Sequence, residues 1–310
     1  MEMLMQVLLI VIGFAMLIKG ADWFVEGASG LAAKLGIPQL VIGLTIVAMG
    51  TSAPEAAVSL TAAMKGSAEI TIGNVVGSNI LNILIILGVT SVIVATAVAK
   101  STVRYEIPYM IGITLLLLVV GYSGYEITFV EGLILWGAFL LYLGYLFCMA
   151  KKQQSEVNEM EKQRPLWKLI LGVIVGLILI IWGSDISVDG ATGVARIIGL
   201  SERFIGLTIV ALGTSLPELF TSVSAARKGK ADIAIGNIVG SNIFNILFVV
   251  GTTALITPVA FAPNFVVDTW IAIASGILLL VCVARKRTLG RWSGILMLCC
   301  YGVYFFYLIQ

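Results

Sequence analysis

Apolar residues dominate this chain in long unbroken runs, with little of the alternation that marks strands. A helix needs about 20 consecutive apolar residues to span about 30 Å of hydrocarbon. Ten stretches meet that length, near 4–30, 38–64, 70–96, 106–123, 127–150, 166–195, 203–226, 232–256, 266–284 and 292–309. No segment between them is long enough for a soluble domain. The pattern predicts an all-α polytopic membrane protein with ten transmembrane helices. Residues 1–6 carry no basic charge and run straight into the next apolar residues, so the N-terminus reads as the first span and not as a secretory signal. The markedly polar stretch KKQQSEVNEMEKQRP, 151–165, reads as a solvated linker.

The pattern also repeats. Laid against itself so that Val41 meets Phe204, the chain aligns 41–88 with 204–251 without a gap, and 31 of 48 positions are identical. GTSAPE (50–55) meets GTSLPE (213–218), and GNVVGSNILNIL (73–84) meets GNIVGSNIFNIL (236–247). At the same offset Asp22 meets Asp185, and Glu26 meets Asp189. The expected organisation is a first five-helix repeat, 1–150, a cytoplasmic linker, 151–165, and a second five-helix repeat, 166–310. Five crossings are an odd number, so the second unit sits upside down relative to the first. Such inverted-topology repeats build many secondary transporters, with the substrate site near the midplane between them.

Charge orients this arrangement. With the N-terminus outside, the inner loops hold 15 basic residues and the outer loops only Lys65, Arg196 and Arg203. That bias predicts extracellular termini and a cytoplasmic linker in the cell membrane. Composition agrees with the membrane assignment: 59% of the 310 residues are hydrophobic, 12% are charged and the mean hydropathy is +1.06. There is no histidine, which argues against zinc chemistry and a histidine proton relay. Cys148, Cys282, Cys299 and Cys300 lie in or at the edge of spans without metal-ligand spacing and read as packing residues. No cofactor, nucleic-acid partner or covalent chemistry is expected, so the chain does not read as an enzyme.

Glu55 stands in an otherwise uncharged run from Pro38 to Met64, where a carboxylate at bilayer depth costs at least about 2.5–3.5 kcal/mol. Its repeat counterpart is Glu218. Around them stand Thr51, Ser52, Ser78, Asn79 and Asn82 in one copy and Thr214, Ser215, Ser241, Asn242 and Asn245 in the other. Ser78 and Asn82, like Ser241 and Asn245, are four apart and share a helix face. Pro54 and Pro217 cannot donate to the carbonyls of Gly50 and Gly213, so each helix should break in its GTS turn. The glutamates then follow in the first turn of a half-helix, whose positive end favours a carboxylate. Carboxylates, amides, hydroxyls and carbonyls together form an oxygen set suited to hard cations. Asn74 and Asn237 read as bonds between helices. Asp22, Glu26, Asp185 and Asp189 read either as helix-packing residues or as a cation-attracting vestibule.

GTSAPE and GTSLPE with GNVVGSNILN and GNIVGSNIFN resemble the two repeats of the calcium/cation antiporter superfamily, and within it the prokaryotic sodium/calcium exchangers. The resemblance implies two long tilted gate helices, here 4–30 and 166–195, that slide over a core of eight. It implies that Glu55 and Glu218 are central ligands shared by Ca²⁺ and Na⁺. Thr51, Ser52, Ser78 and Asn82 would join them from one repeat, and Thr214, Ser215, Ser241 and Asn245 from the other. The carbonyls of Ala48 and Ala211 would serve flanking Na⁺ sites. Many family members have Asp where this chain has Asn245, which bears on Na⁺ stoichiometry and on any K⁺ cotransport. The proton-coupled branch carries an acid where this chain has Gly77 and Gly240, so Na⁺ is the expected driving ion. The expected activity is alternating-access antiport of Ca²⁺ against Na⁺; Ca²⁺/H⁺ antiport is the alternative, and a passive cation channel a more distant one. A monomer would suffice, although the sequence leaves the oligomeric state open.

Overall fold

The computed structural model describes residues 2–152, 164–199, 209 and 211–308. Apolar stretches become helices because hydrocarbon offers backbone groups no partner, and a helix bonds its own. In chain order they are α1 (Glu2–Leu35), α2 (Gln39–Thr51), α3 (Ala53–Met64), α4 (Ile70–Ile93), α5 (Thr102–Gly124) and α6 (Phe129–Lys152). After the linker come α7 (Leu166–Ile197), α8 (Ala211–Thr214), α9 (Leu216–Arg227), α10 (Ala231–Ile256), α11 (Asn264–Ala284) and α12 (Arg291–Leu308). Among the described residues eight helices are long and apolar enough to cross a membrane, or nine if the bent pair α2 and α3 is one span. The protein is therefore a multi-pass membrane protein. The expected span 203–226 falls partly outside the described residues, which include only 209 and 211–226 of it; most of the expected linker, 153–163, also lies outside them.

Helix α10 is buried along nearly all of its apolar length and α4 along most of its own, whereas α1 and α12 are largely exposed. The two centre helices thus form the core and the others its shell. Helix α10 lies close on α2: a Cβ on Gly240 would stand 2.8 Å from the Leu44 carbonyl oxygen. Both centre helices, and α2 and α5, contain a π-helical stretch, at Asn82–Leu87, Asn245–Val250, Gly43–Val47 and Thr102–Glu106. Such stretches are uncommon and concentrate at functional sites.

Four two-residue strands tie the ends of the shell helices. Thr96–Ala97 pairs antiparallel with Thr288–Leu289, and Glu126–Ile127 with Val259–Ala260. Each pair joins one half of the chain to the other.

Helices α1 and α7 pack along each other through glycines spaced at every seventh position, Gly13, Gly20 and Gly27 on α1 and Gly176, Gly183 and Gly190 on α7. A Cβ on Gly20 would stand 2.8 Å from the Gly176 carbonyl oxygen, and one on Gly13 would stand 2.7 Å from that of Gly183. Gly190 faces Gln6 and Ile10, so the register descends along α7 as it rises along α1 and the two run antiparallel. In lipid, where apolar burial between helices gains little, this backbone approach supplies the attraction.

Candidate functional site

The two proline-bearing helices break where the sequence places the break. Helices α2 and α3 meet at Ser52 with a 49° bend, and α8 and α9 meet at Ser215. Ser52 and Ser215 leave the helical well in the same way, with ψ of 7° and 2°. Glu55 and Glu218 fall in the first turn of the following half-helix, 1% and 0% exposed. Helix α3 packs on the π-helical stretch that begins at Asn245, and α9 on the one that begins at Asn82. Each glutamate helix therefore leans on an asparagine turn from the other half of the chain.

Four asparagines lock the centre helices together. Asn79 Nδ2 donates to the Asn242 carbonyl and Asn242 Nδ2 to the Asn79 carbonyl, both at 3.1 Å. Asn82 Nδ2 donates to Asn242 Oδ1 at 2.9 Å, and Asn245 Nδ2 to Asn79 Oδ1 at 3.3 Å. Asn79 and Asn242 thus work as fasteners. The amides of Asn82 and Asn245 are held at their nitrogens, which leaves both side-chain oxygens free. A second symmetric pair supports the glutamate turns: Asn74 Nδ2 donates to Ser59 Oγ at 2.9 Å and to the Glu55 carbonyl at 3.1 Å. Asn237 Nδ2 donates to Ser222 Oγ at 3.0 Å and to the Glu218 carbonyl at 3.4 Å. The expected inter-helix role of Asn74 and Asn237 is what these bonds describe.

Among these glutamates, asparagines and GTS-turn serines, six buried oxygens have no hydrogen-bond partner among the described residues: both carboxylate oxygens of Glu55, Oε2 of Glu218, Oδ1 of Asn82 and of Asn245, and Oγ of Ser215. Leaving such groups unpaired costs about 1–3 kcal/mol each, and more for a charge. Such oxygens are the donors that hard cations take, and Ca²⁺ binds six to eight of them. Among the described residues no cluster of three or more His, Cys, Asp or Glu occurs, so the two acids and their neutral neighbours form the donor set.

The other expected ligands are placed as follows. Ser52 Oγ donates to Glu218 Oε1 at 2.8 Å, crossing between the halves. Thr51 Oγ1 donates to Asn237 Oδ1 at 3.0 Å. The Ala48 carbonyl accepts from the Ser52 N–H at 3.0 Å and from Ser241 Oγ at 3.4 Å. Ser78 is buried one turn before Asn82, Thr214 is half-buried at the end of α8, and Ala211 opens that helix. Ser59 and Ser222 escaped sequence reasoning, although they were findable: they are identical at the repeat offset and sit one turn after each glutamate.

The acids on the two long helices differ in their partners. On α1, Asp22 accepts from Ser224 Oγ at 2.7 Å, and Lys228 Nζ reaches Asp22 Oδ1 at 3.2 Å and Glu26 Oε1 at 2.7 Å. Arg164 adds a 3.3 Å contact to Glu26. These bonds fasten one end of α1 to the end of α9 and to the chain entering α7. Outside the membrane-spanning interior such pairs are each worth about 0–1 kcal/mol, so the fastening is a light one. On α7, Asp185 and Asp189 make no ion pair among the described residues, and Lys65, the repeat counterpart of Lys228, makes none either.

Comparison with known proteins places this architecture. The family described as sodium/calcium exchanger protein matches over 5–148 and 168–310, which covers both halves. A putative antiporter, CaxA, of Alkalimonas amylolytica is 39% identical over 96% of this chain and 96% of its own length. The sodium/calcium exchanger MaX1 of Methanosarcina acetivorans is 30% identical over 95% of each chain. A solved structure of the sodium-calcium exchanger NCX_Mj, soaked with zero Na⁺ and Ca²⁺, superposes with a TM-score of 0.85 at 30% identity and covers 98% of this chain and 99% of that one. On its matched length and on relatives of this identity, the chain belongs to the sodium/calcium exchanger protein family.

Proposed function

We propose that this protein exchanges Ca²⁺ for Na⁺ across the cell membrane by alternating access to one site between two inverted five-helix repeats, 1–150 and 166–310, joined by the cytoplasmic segment 151–165. Ten crossings with both termini outside complete the reading. Glu55 and Glu218 hold the ions. Asn82, Asn245 and Ser215 complete the shell, with Thr51, Ser52, Ser78, Thr214 and Ser241 beside them and the Ala48 and Ala211 carbonyls flanking. The observation that carries the reading is the set of six unpartnered buried oxygens, drawn from both halves of the chain.

Three further features support it. The short strands pair crosswise between the halves, the two long helices run antiparallel, and the asparagine bonds are reciprocal, as a two-fold axis in the membrane plane requires. Alternation then needs only that α1 and α7 move relative to the core, with the ion's charge neutralising the acids during passage. Fastened at the Lys228 end and unfastened at the Lys65 end, the molecule is closed on the cytoplasmic side under this topology. The Asn82 and Asn245 amides are neutral, so one Ca²⁺ balances the two carboxylates. A cycle that moves net charge is driven by membrane potential at about 2.3 kcal/mol per charge per 100 mV.

Purified protein in proteoliposomes tests this directly. Uptake of ⁴⁵Ca²⁺ should follow an outward Na⁺ gradient at clamped pH and stop when Na⁺ is replaced by choline. Uptake driven by a pH gradient alone would make the protein a Ca²⁺/H⁺ antiporter, and flux with no counter-ion would make it a channel.

A further inference from the structure

A second polar constellation lies away from the ion site, between the start of α5 and the middle of α6. A cavity of about 500 Å³ opens there, lined among others by Arg104, Glu106, Tyr109, Leu141, Tyr142 and Tyr145. Glu106 is 1% exposed in a membrane-spanning helix. Tyr145 donates its hydroxyl to Glu106 Oε1, while Oε2 has no partner. The hydroxyl of Tyr142, another residue that lines the cavity, also lacks one. Exchange as described above uses none of these groups.

The second half of the chain shows what a satisfied version looks like. Asp268 and Tyr304 are the second-half counterparts of Glu106 and Tyr142, at an offset one position shorter than that of the repeat, and there the Tyr304 hydroxyl donates straight to Asp268 Oδ1 at 3.0 Å. Among the described residues Asp268 leaves no buried oxygen without a partner. The position equivalent to Arg104 is Val266. The orphaned oxygens and the arginine therefore belong to the first half alone.

The mouth of the cavity defines its occupant. Leu141, halfway along the apolar helix α6, is 76% exposed, while Arg104 lies in the first turns of α5, near the end of that span. A molecule seated there is apolar at one end and polar at the other. Arg104 rests over the Tyr105 ring at 5.6 Å and makes no ion pair with a carboxylate among the described residues, so its charge is available to an anion. Deeper in, Glu106 Oε2 and the Tyr142 hydroxyl are acceptors for the N–H donors of a primary ammonium. The stacked rings of Tyr109 and Tyr142, 5.6 Å apart, add aromatic surface that favours a cation. An inorganic Ca²⁺ does not fit, because one carboxylate and one free hydroxyl fall short of its six to eight oxygens.

We infer that this cavity is a binding site for a phospholipid with a primary-amine headgroup, phosphatidylethanolamine in chemistry, whose ammonium sits on Glu106 and Tyr142 and whose phosphate sits on Arg104. A choline headgroup has no N–H to donate and is excluded. A glycerol headgroup leaves the Glu106 charge unpaired.

Native mass spectrometry of the full chain tests the site without reference to transport. Detergent-purified protein is incubated with dioleoyl phosphatidylethanolamine, phosphatidylcholine or phosphatidylglycerol. Wild type should retain one phosphatidylethanolamine at least about tenfold better than phosphatidylcholine, the scale of a charge-assisted hydrogen bond. Glu106→Gln should remove that preference and leave phosphatidylglycerol retention unchanged. Tyr142→Phe, which keeps the ring, should lower it in part. Arg104→Ala, at an exposed position, should weaken phosphatidylethanolamine and phosphatidylglycerol alike. Absence of an ethanolamine preference over phosphatidylcholine in wild type overturns the site, as does a preference left at its wild-type size by Tyr142→Phe, or phosphatidylethanolamine retention left unchanged by Arg104→Ala; both variants spare the buried acid.

Discussion

Glu55 and Glu218 occupy equivalent places in two stretches that are identical at most positions, yet the structure treats them differently. Glu218 accepts from Ser52 at 2.8 Å, whereas Ser215 lies beside Glu55 without closing the equivalent bond. The same asymmetry recurs at a distance. Asp22 and Glu26 on α1 are fastened by Ser224 and Lys228, whereas Asp185, Asp189 and Lys65 are not joined. Helix α1 accordingly packs along α9, and α7 has no comparable packing along α3. Near-identical sequence in unequal surroundings is what a two-state transporter shows in one of its states. Under the proposed alternation the roles exchange in the other state, with Lys65 on Asp185 and Ser215 on Glu55.

The largest effect tests the equivalence of the two acids. Glu55→Gln and Glu218→Gln should each lower Na⁺-driven ⁴⁵Ca²⁺ flux at least about 100-fold, since breaking a buried charged network costs about 3–5 kcal/mol. If one variant keeps wild-type flux, the two halves do not share a site. Next comes a neutral oxygen donor beside the two acids. Asn245→Asp adds a negative charge and should lower the half-saturating Na⁺ concentration at least about tenfold, because a charge about 4 Å away is worth about 4 kcal/mol at an effective dielectric of about 20, against which the buried acid's own desolvation is set. Asn82→Asp should do the same from the other half. An unchanged ion profile in both would remove the asparagines from the shell.

Smaller effects separate a fixed asymmetry from an alternating one. Ser52→Ala and Ser215→Ala should each weaken apparent Ca²⁺ affinity about three- to tenfold, the worth of one hydrogen bond. A loss confined to Ser52→Ala would mean that the asymmetry is permanent. Smallest of all is the fastening of the long helices. Lys228→Ala should raise apparent Ca²⁺ affinity at the cytoplasmic face about two- to fivefold, and Lys65→Ala should do so at the opposite face, both effects fading in high salt. Equal shifts at both faces from Lys228→Ala alone would refute alternation between these contacts.

Much of the site was legible before any coordinates. The carboxylate in an apolar run, its copy at the repeat offset and the two prolines locate Glu55, Glu218 and both helix breaks, because each is a local consequence of composition or of a missing N–H. Other parts carry no such mark. Asn79 and Asn82 look alike in sequence, and only the crossing of α4 and α10 makes one a fastener and leaves the other's oxygen free. The π-helical stretches at Asn82 and Asn245 are too short to have a periodic signature. Glycines seven apart on α1 and α7 were visible, but their pairing depends on an antiparallel approach between helices from opposite halves of the chain. For Asp22 and Glu26 the sequence left two roles open, and contact with Lys228 and Arg164 favours helix fastening.

By itself, then, the sequence determined that this is a membrane-spanning duplicate with an acid and a helix break in each copy, since hydrophobicity, charge and proline act over short stretches of chain. Tertiary structure alone decided which oxygens are left unpaired, which asparagines are spent on packing and which end of the molecule is fastened. Those outcomes depend on contacts between the copies, where two nearly identical stretches meet different partners.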